Sequence, residues 1–173
     1  MTRVYIEDFK DHVGEEVEFA GWLFNSRRSG KLMFLILRDG SGIAQAVLSK
    51  KDVGEEMFEV AKNLTQETSL IARGQVREDE RAPGGYELTL SHIEQVGASV
   101  DYPIALKEHG DAFLLDNRHL WLRSRKQWAV LRIRHEVSTA IRDFFNGRGF
   151  IAFDTPIFTP NAVEGTTTLF STD

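Results

Sequence analysis

Residues 17–48 read VEFAGWLFNSRRSGKLMFLILRDGSGIAQAVL. Three strand-like runs lie here, joined by two short turns. In the first, from about Glu16 to Asn25, Val17, Phe19, Gly21 and Leu23 repeat at period 2 and share one face. A glycine in mid-strand signals a bulge or a sharp bend, which a sheet that closes on itself requires. Ser29-Gly30 turns the chain. The second run, Leu32 to Arg38, is apolar on both faces, which predicts cover on both sides. Asp39-Gly40-Ser41-Gly42 is a strong hairpin signal. Ile43 to Leu48 is the third run.

The chemistry in this stretch is concentrated. Arg27, Arg28 and Lys31 lie between the first two runs, Phe34 follows at once, and Gln45 comes one strand later. Cations for phosphates, a ring for stacking and an amide for base edges are what a single-stranded nucleic-acid site needs. Two readings of Phe34 stand open, because it shares a face with Leu32 and Ile36: a core ring or a stacking platform. Gln45 shares its face with Ile43 and Val47. An unpaired buried amide costs roughly 1–3 kcal/mol, which points Gln45 to the surface or to a ligand. The arginines read either as a solvated hairpin tip or as phosphate contacts.

Working outward, residues 3–12 predict a short strand and a turn of helix, with Val4, Ile6 and Phe9 as core contacts. Residues 52–64 predict a short amphipathic helix with Val53, Met57, Val60 and Leu64 on one face. A fourth strand follows over 68–77, with Leu70, Ala72, Gly74 and Val76 inward. A polar loop, EDERAPGG, precedes the fifth, over 86–96. Five strands with a helix between the third and fourth is the arrangement of a β-rich OB-fold barrel, here over residues 1–98. A four-strand sandwich fragment is the alternative, and the central glycines and the helix position disfavour it.

Residues 99–114 read as a hinge linker. Beyond it, 115–125 predict a short helix capped near Asp116. A long helix runs from Lys126 to about Asn146, with Val130, Ile133, Val137, Ile141 and Phe144 spaced at three and four. Gly147 and Gly149 are C-cap candidates. Phe150 to Asp154 reads as a strand, and Pro156 and Pro160 then break regular structure. One helix, one strand and a tail cannot enclose a core, so residues 115–173 are expected to open a larger α+β domain.

Composition bounds the function classes. Of 173 residues 42% are hydrophobic, enough for a real core. No run approaches the roughly 20 apolar residues of a membrane helix, and the acidic N-terminus has no signal-peptide character. Zero cysteines exclude disulfides and thiolate metal sites, which suits a cytoplasmic protein. The five histidines show no metal spacing, so no metal site is expected. The glycine pieces DGSG and APGG are turns, not phosphate loops. Net charge is −5. Residues 1–100 carry 12 Lys and Arg against 17 Asp and Glu, while 101–173 balance at 9 against 9. Nucleic-acid contact must then use local basic patches, which favours specific binding over bulk attraction. A second basic run, Arg118, Arg123, Arg125, Lys126, Arg132 and Arg134, reads as a helix face that pairs with acids elsewhere or as an RNA backbone contact.

GWLFNSRRSGKLMFLILRDGSGIAQAVL resembles the anticodon-binding OB-fold of the class IIb aminoacyl-tRNA synthetases, which serve Asp, Asn and Lys. RHLWLRSRKQWAVLRIRHEVSTAIRDFFNGRGFIAFDTPIFTPNAVEGTTTLF is similar to the hinge, long helix and motif 1 of their catalytic domain. The RAPGG loop and the EGTT-LF ending look most like the bacterial asparaginyl branch; the archaeal-type aspartyl branch is the rival. The resemblance implies ATP-dependent attachment of asparagine to tRNA-Asn in the cytoplasm, with ATP and magnesium as cofactors and a homodimer built through motif 1. It implies that Phe34 stacks on the middle anticodon base, a uridine, that Gln45 bonds that base, and that Arg27 contacts the anticodon. It also implies that Pro156 is the motif 1 proline at the dimer interface and that Glu164 binds the α-ammonium of asparagine. No catalytic residue is assigned here, because the residues given stop short of motifs 2 and 3, which hold ATP and magnesium. By themselves these residues are expected not to activate asparagine. A non-enzymatic OB-fold module that binds RNA or protein is the alternative from another class.

Overall fold

One long strand serves two neighbours, and that sharing sets the architecture. A computed structural model describes residues 1–158. After β1 (Thr2–Arg3) and a 3-10 helix (Ile6–Asp11), β2 runs from Glu16 to Ser29. It continues past the predicted end at Asn25, so Arg27 and Arg28 are strand residues and only Gly30 and Lys31 form the turn. Gly30 sits at φ +60°, where glycine carries no Cβ penalty. β3 (Leu32–Arg38), β4 (Ile43–Ser49), α1 (Lys50–Asn63), β5 (Ser69–Glu78) and β6 (Tyr86–Gly97) follow.

The strands order as β1-β2-β3-β4-β6-β5, and β5 pairs back onto β2. The ring is thereby closed as a five-stranded barrel, with β1 added in parallel beside the start of β2. Residues Glu16 to Trp22 of β2 pair with β5, and Trp22 to Ser29 pair with β3. The strand bends where the partners change. Gly21 lies under the Phe19 ring and against the Arg38 carbonyl, with no room for a Cβ. The bulge itself falls between Leu23 and Asn25, two residues later than the glycine.

Period 2 fills the barrel. Val17, Phe19, Leu23, Met33, Leu35, Leu37, Ala44, Ala46, Leu48, Leu70, Ala72, Val76, Leu88 and Leu90 are buried. Val4 and Phe9 join this core as predicted, with Ile6 packed against it. The helix closes the barrel through Phe58, Ala61 and Leu64, while Val60, assigned inward from spacing, is exposed. Gly54 at φ +82° interrupts the helix near its start; beyond it Phe58 and Ala61, three apart, set the buried face, and Val60 falls to its side. The second face of β3 is also less covered than expected. Phe34 and Ile36 are half-buried and Leu32 is exposed.

The DGSG hairpin forms as read. The Asp39 carboxylate accepts hydrogen bonds from the Ser41 and Gly42 amides, at 2.7 and 2.9 Å, and from the Ile6 amide at 2.9 Å. That last bond ties the N-terminal segment to the barrel end. On the outer wall, Glu18 bridges Arg3 and Arg73 at 2.7 and 2.9 Å. Hydrogen bonds from Arg3 and then Arg73 hold its carboxyl below the ordinary glutamate value.

Residues Met1–Leu106 form one compact unit and a second begins at Lys107. Its helices are α2 (Asp111–Asp116), α3 (Arg118–Trp121) and α4 (Arg125–Asn146). Asp116 ends a helix instead of capping one. The cap of α4 is Ser124, whose hydroxyl accepts from the Gln127 amide at 3.3 Å. Gly149, at φ +82°, closes its other end. The predicted strand from Phe150 to Asp154 does not form, and no ladder partner for it lies among the described residues. On α4, Val130, Ile133, Val137, Ile141 and Phe144 are 49–65% exposed.

The close passage of β5 and β6 gives the first prediction. A Cβ on Gly74 would collide with the Thr89 carbonyl, and backbone cannot swing aside. Gly74→Ala is expected to lower stability in urea by about 3 kcal/mol, the top of the overpacking range. A loss below about 0.5 kcal/mol would refute this packing.

Candidate nucleic-acid interface

Strand register builds a platform on the outer wall. The pairings align two rows of side chains across β2, β3, β4, β6 and β5. One row is Arg27, Phe34, Val47, Thr89 and Gln75. The next is Asn25, Ile36, Gln45, Glu87 and Arg77. Every residue in both rows is half-buried or exposed, because the alternate positions fill the barrel.

Arg27 and Phe34 stand directly opposite one another, and the Arg27 guanidinium lies 4.2 Å from the Phe34 ring centroid. The ring is half-buried, so the core reading of Phe34 does not hold: its face is open to the outside of the barrel. The contact is a cation–π pair, which keeps the arginine over the ring with its donors unspent.

Gln45 is the diagonal neighbour of Phe34, one row over. Its Nε2 donates to Glu87 Oε2 at 3.1 Å. That bond resolves the sequence-level dilemma, since the amide is half-buried and partnered. It also orients the amide. Turning it over would place Oε1 against the Glu87 carboxylate, acceptor against acceptor. The held orientation leaves Oε1 and one N–H of Gln45 available side by side. Glu87 was not singled out by sequence reasoning. The available signal was its outward phase in the fifth strand, beside a glutamine that needed a partner.

Arg28 points the other way, its guanidinium 5.6 Å from the Phe58 ring, on the side of α1. The second unit is described separately. There Pro156 is exposed in an irregular segment. Glu164 lies outside the described residues. Arg132, of the second basic run, lies 5.6 Å from the Trp128 ring of its own helix. Among the described residues no group of three or more His, Cys, Asp or Glu could hold a metal ion. None of their helices is long and apolar enough to cross a membrane.

A closed five-stranded ring with a helix between its third and fourth strands, presenting cation, ring and amide together, defines an OB-fold nucleic-acid binding module. Residues 17–96 match the family described as OB-fold nucleic acid binding domain. Residues 110–173 match the family described as tRNA synthetases class II (D, K and N). Among curated relatives, the asparagine–tRNA ligase of Pelotomaculum thermopropionicum is 51% identical over 173 residues, all of this chain and 40% of that protein. That of Thermus thermophilus is 52% identical over 172 residues, 99% of this chain and 39% of that protein. The chain thus spans about two-fifths of the length of the relatives it matches. A solved structure of asparaginyl-tRNA synthetase from Pyrococcus horikoshii, complexed with asparaginyl-adenylate, aligns with TM-score 0.85 at 39% identity. It covers 98% of this chain and 40% of that one.

The Arg27–Phe34 contact is measurable without any ligand. A double-mutant cycle of Arg27→Ala and Phe34→Leu, read by urea unfolding, is expected to give a coupling of about 0.5–1 kcal/mol. Additive losses would place the guanidinium elsewhere in solution.

Proposed function

We propose that residues 17–96 read the anticodon of tRNA-Asn as part of an asparagine–tRNA ligase. In the whole protein, asparagine would be joined in the cytoplasm to tRNA-Asn through an adenylate, with ATP, assisted by magnesium, split to AMP and pyrophosphate. The observation that carries this is the platform: Phe34 half-buried on the outer wall, Arg27 over its ring, and Gln45 held beside it by Glu87. The names of the relatives supply the amino acid.

The chemistry runs as follows. A base of the anticodon loop, unstacked from its neighbours, lays its face on Phe34 in competition with the Arg27 guanidinium. Such a stack contributes about 1–3 kcal/mol and is tolerant of sequence. Arg27, displaced from the ring face, keeps its charge and donors for an adjoining phosphate. Selectivity is left to Gln45. Uracil offers an N–H donor flanked by carbonyl acceptors on its Watson–Crick edge. The Gln45 amide offers Oε1 and one N–H in matching order. Cytosine presents an acceptor at that ring nitrogen and an amino donor beside it. To fit cytosine the amide would have to turn over, against Glu87. The glutamate thus makes the glutamine a reader of uracil and not merely of pyrimidines.

We further infer that the second unit opens the catalytic domain and pairs two chains. Pro156 stands in the motif 1 segment of a homodimer interface, and Glu164 receives the α-ammonium of asparagine. Support comes from the apolar stripe of α4, unburied within its own unit. Sedimentation of the chain is expected to give concentration-dependent association, and Val137→Lys with Ile141→Lys to abolish it. A monomer at all concentrations would sink the dimer.

The anticodon reading is tested with a stem-loop RNA bearing GUU and with partners changed to GCU or GAU. Phe34→Ala is expected to weaken binding of all three by about 5- to 150-fold. Glu87→Gln should retain binding of GUU while raising affinity for GCU, closing the gap between them. Equal wild-type binding of the three RNAs would overturn the proposal.

A further inference from the structure

The unit Met1–Leu106 is acidic, yet its cations are not evenly matched with acids. Half of its twelve Lys and Arg are neutralised in place. Arg3 and Arg73 share Glu18, Arg38 meets Glu67, Lys50 meets Glu55, Lys62 meets Glu59, and Arg81 meets Asp79. Arg28, Lys31 and Lys51 belong to no ion pair among the described residues, and all three are exposed.

The fold gathers these three at one end of the barrel. Arg28 is opposite Met33 near the end of the β2–β3 hairpin, and Lys31 is in its turn. The Lys31 carbonyl accepts from the Lys50 amide at 2.9 Å, which sets Lys50 and Lys51 beside the turn. Arg28 and Lys50 lie over the same buried ring, Phe58, at 5.6 and 5.8 Å from its centroid. Lys50 holds Glu55 at 2.5 Å, and it joins Arg28 in drawing the Glu59 carboxyl down, after Lys62. Two acids therefore temper the cluster from the α1 side, and neither engages Arg28, Lys31 or Lys51 in a bridge. Three unpaired cations held this close repel one another. The arrangement is suited to an anion with charges spaced along it.

We propose that Arg28, Lys31 and Lys51, with Lys50 beside them, form a track for the sugar–phosphate backbone of the RNA strand whose base stacks on Phe34. The inference rests on the anticodon reading above and extends it to residues that carry no base contact. Arg27 and Arg28 are consecutive, so strand alternation sends one to the stacking face and the other around the hairpin to the α1 side. The backbone passes over Lys31 from the first to the second. Such contacts position without reading sequence. In an acidic unit they supply the counter-charge that the base contacts lack.

The distinguishing readout is the salt dependence of binding. Affinity of the chain for the GUU stem-loop is measured between 50 and 300 mM salt, beside the GCU stem-loop. The variants are Lys31→Gln with Lys51→Gln, and separately Arg28→Gln. Each lost phosphate contact is expected to reduce the slope of log affinity against log salt by about 0.7, so by about 1.4 for the double variant. GUU and GCU should weaken by the same factor, leaving their ratio unchanged. Lys10→Gln, on the 3-10 helix tied to the opposite end of β3, is the charge control and should leave the slope unchanged. Lys31→Ala with Lys51→Ala, checked for an unaltered urea midpoint, guards against a folding artefact. An unchanged slope with normal preference for GUU overturns the track and leaves the anticodon reading standing. Loss of the GUU preference in the wild type overturns both.

Discussion

The structure depends on β2 being held by two partners at once. Its first half must stay with β5 for the ring to close, and its second half must stay with β3 for the platform to exist. The change-over is clasped from one side. The Leu23 amide donates to the Thr68 carbonyl at 3.0 Å, and the Glu67 amide donates to the Leu23 carbonyl at 2.7 Å. Glu67 makes this clasp at φ +67°, a conformation that costs a non-glycine residue roughly 1–3 kcal/mol. The strain persists because the buried Glu67 carboxylate is held by Arg38 at 2.5 Å. A buried ion pair is a poor source of net stability. Here it fixes geometry: it pins the last residue of β3 to the loop that grips the bend in β2. Arg27 and Phe34 lie further along those same two strands, so their register descends from this clasp.

That rigidity matters for what the platform selects. A stack on a ring is indifferent to base identity, and an amide alone can serve either pyrimidine by turning over. Discrimination arises only when the amide is prevented from turning, and the constraint comes from Glu87 on β6. β6 reaches β4 through a short parallel pairing of three residues, Gln45 to Glu87 being its first. Barrel closure brings that edge alongside β4, so on the proposed reading the topology would supply specificity as well as stability. Placing a carboxylate this near the proposed RNA site would carry an electrostatic penalty, and a cation, Arg77, stands opposite Glu87 on β5.

Much of this was legible in the residues. Alternation gave the five strands and the inward face, since a half-buried strand cannot hide its period. The DGSG turn was legible because Asp39 satisfies its own loop amides. Phe34, Gln45 and Arg27 were singled out by residue type and phase, and Arg27 and Phe34 meet as register neighbours on the outer wall. What escaped has physical causes. Where β2 ends is decided by pairing with β3, not by local propensity, so Arg27 and Arg28 read as a tip. On α1 the buried face runs through Phe58 and Ala61, and Val60 is exposed; with Met57, Phe58, Val60 and Ala61 all apolar, spacing alone could not choose between the two neighbouring faces. The strand expected at Phe150 to Asp154 needs a ladder that its own sequence cannot supply. Glu87 looked like one more surface acid until closure put it beside Gln45.

The pair Arg27-Arg28 shows why charge counting misleads in a domain of this kind. In a turn, both side chains would sample the same solvent and would read as one diffuse patch. In a strand they cannot share a face, because successive Cβ atoms point to opposite sides. Arg27 is fixed over Phe34 and Arg28 over Phe58, two rings on opposite sides of one strand. One cation stands on the outer wall over Phe34 and its neighbour on the side of α1. A net charge of −5 for the chain is then compatible with a strong local field at the hairpin end. On the proposed reading, the acids elsewhere would discourage RNA from resting anywhere but where both cations can be met together.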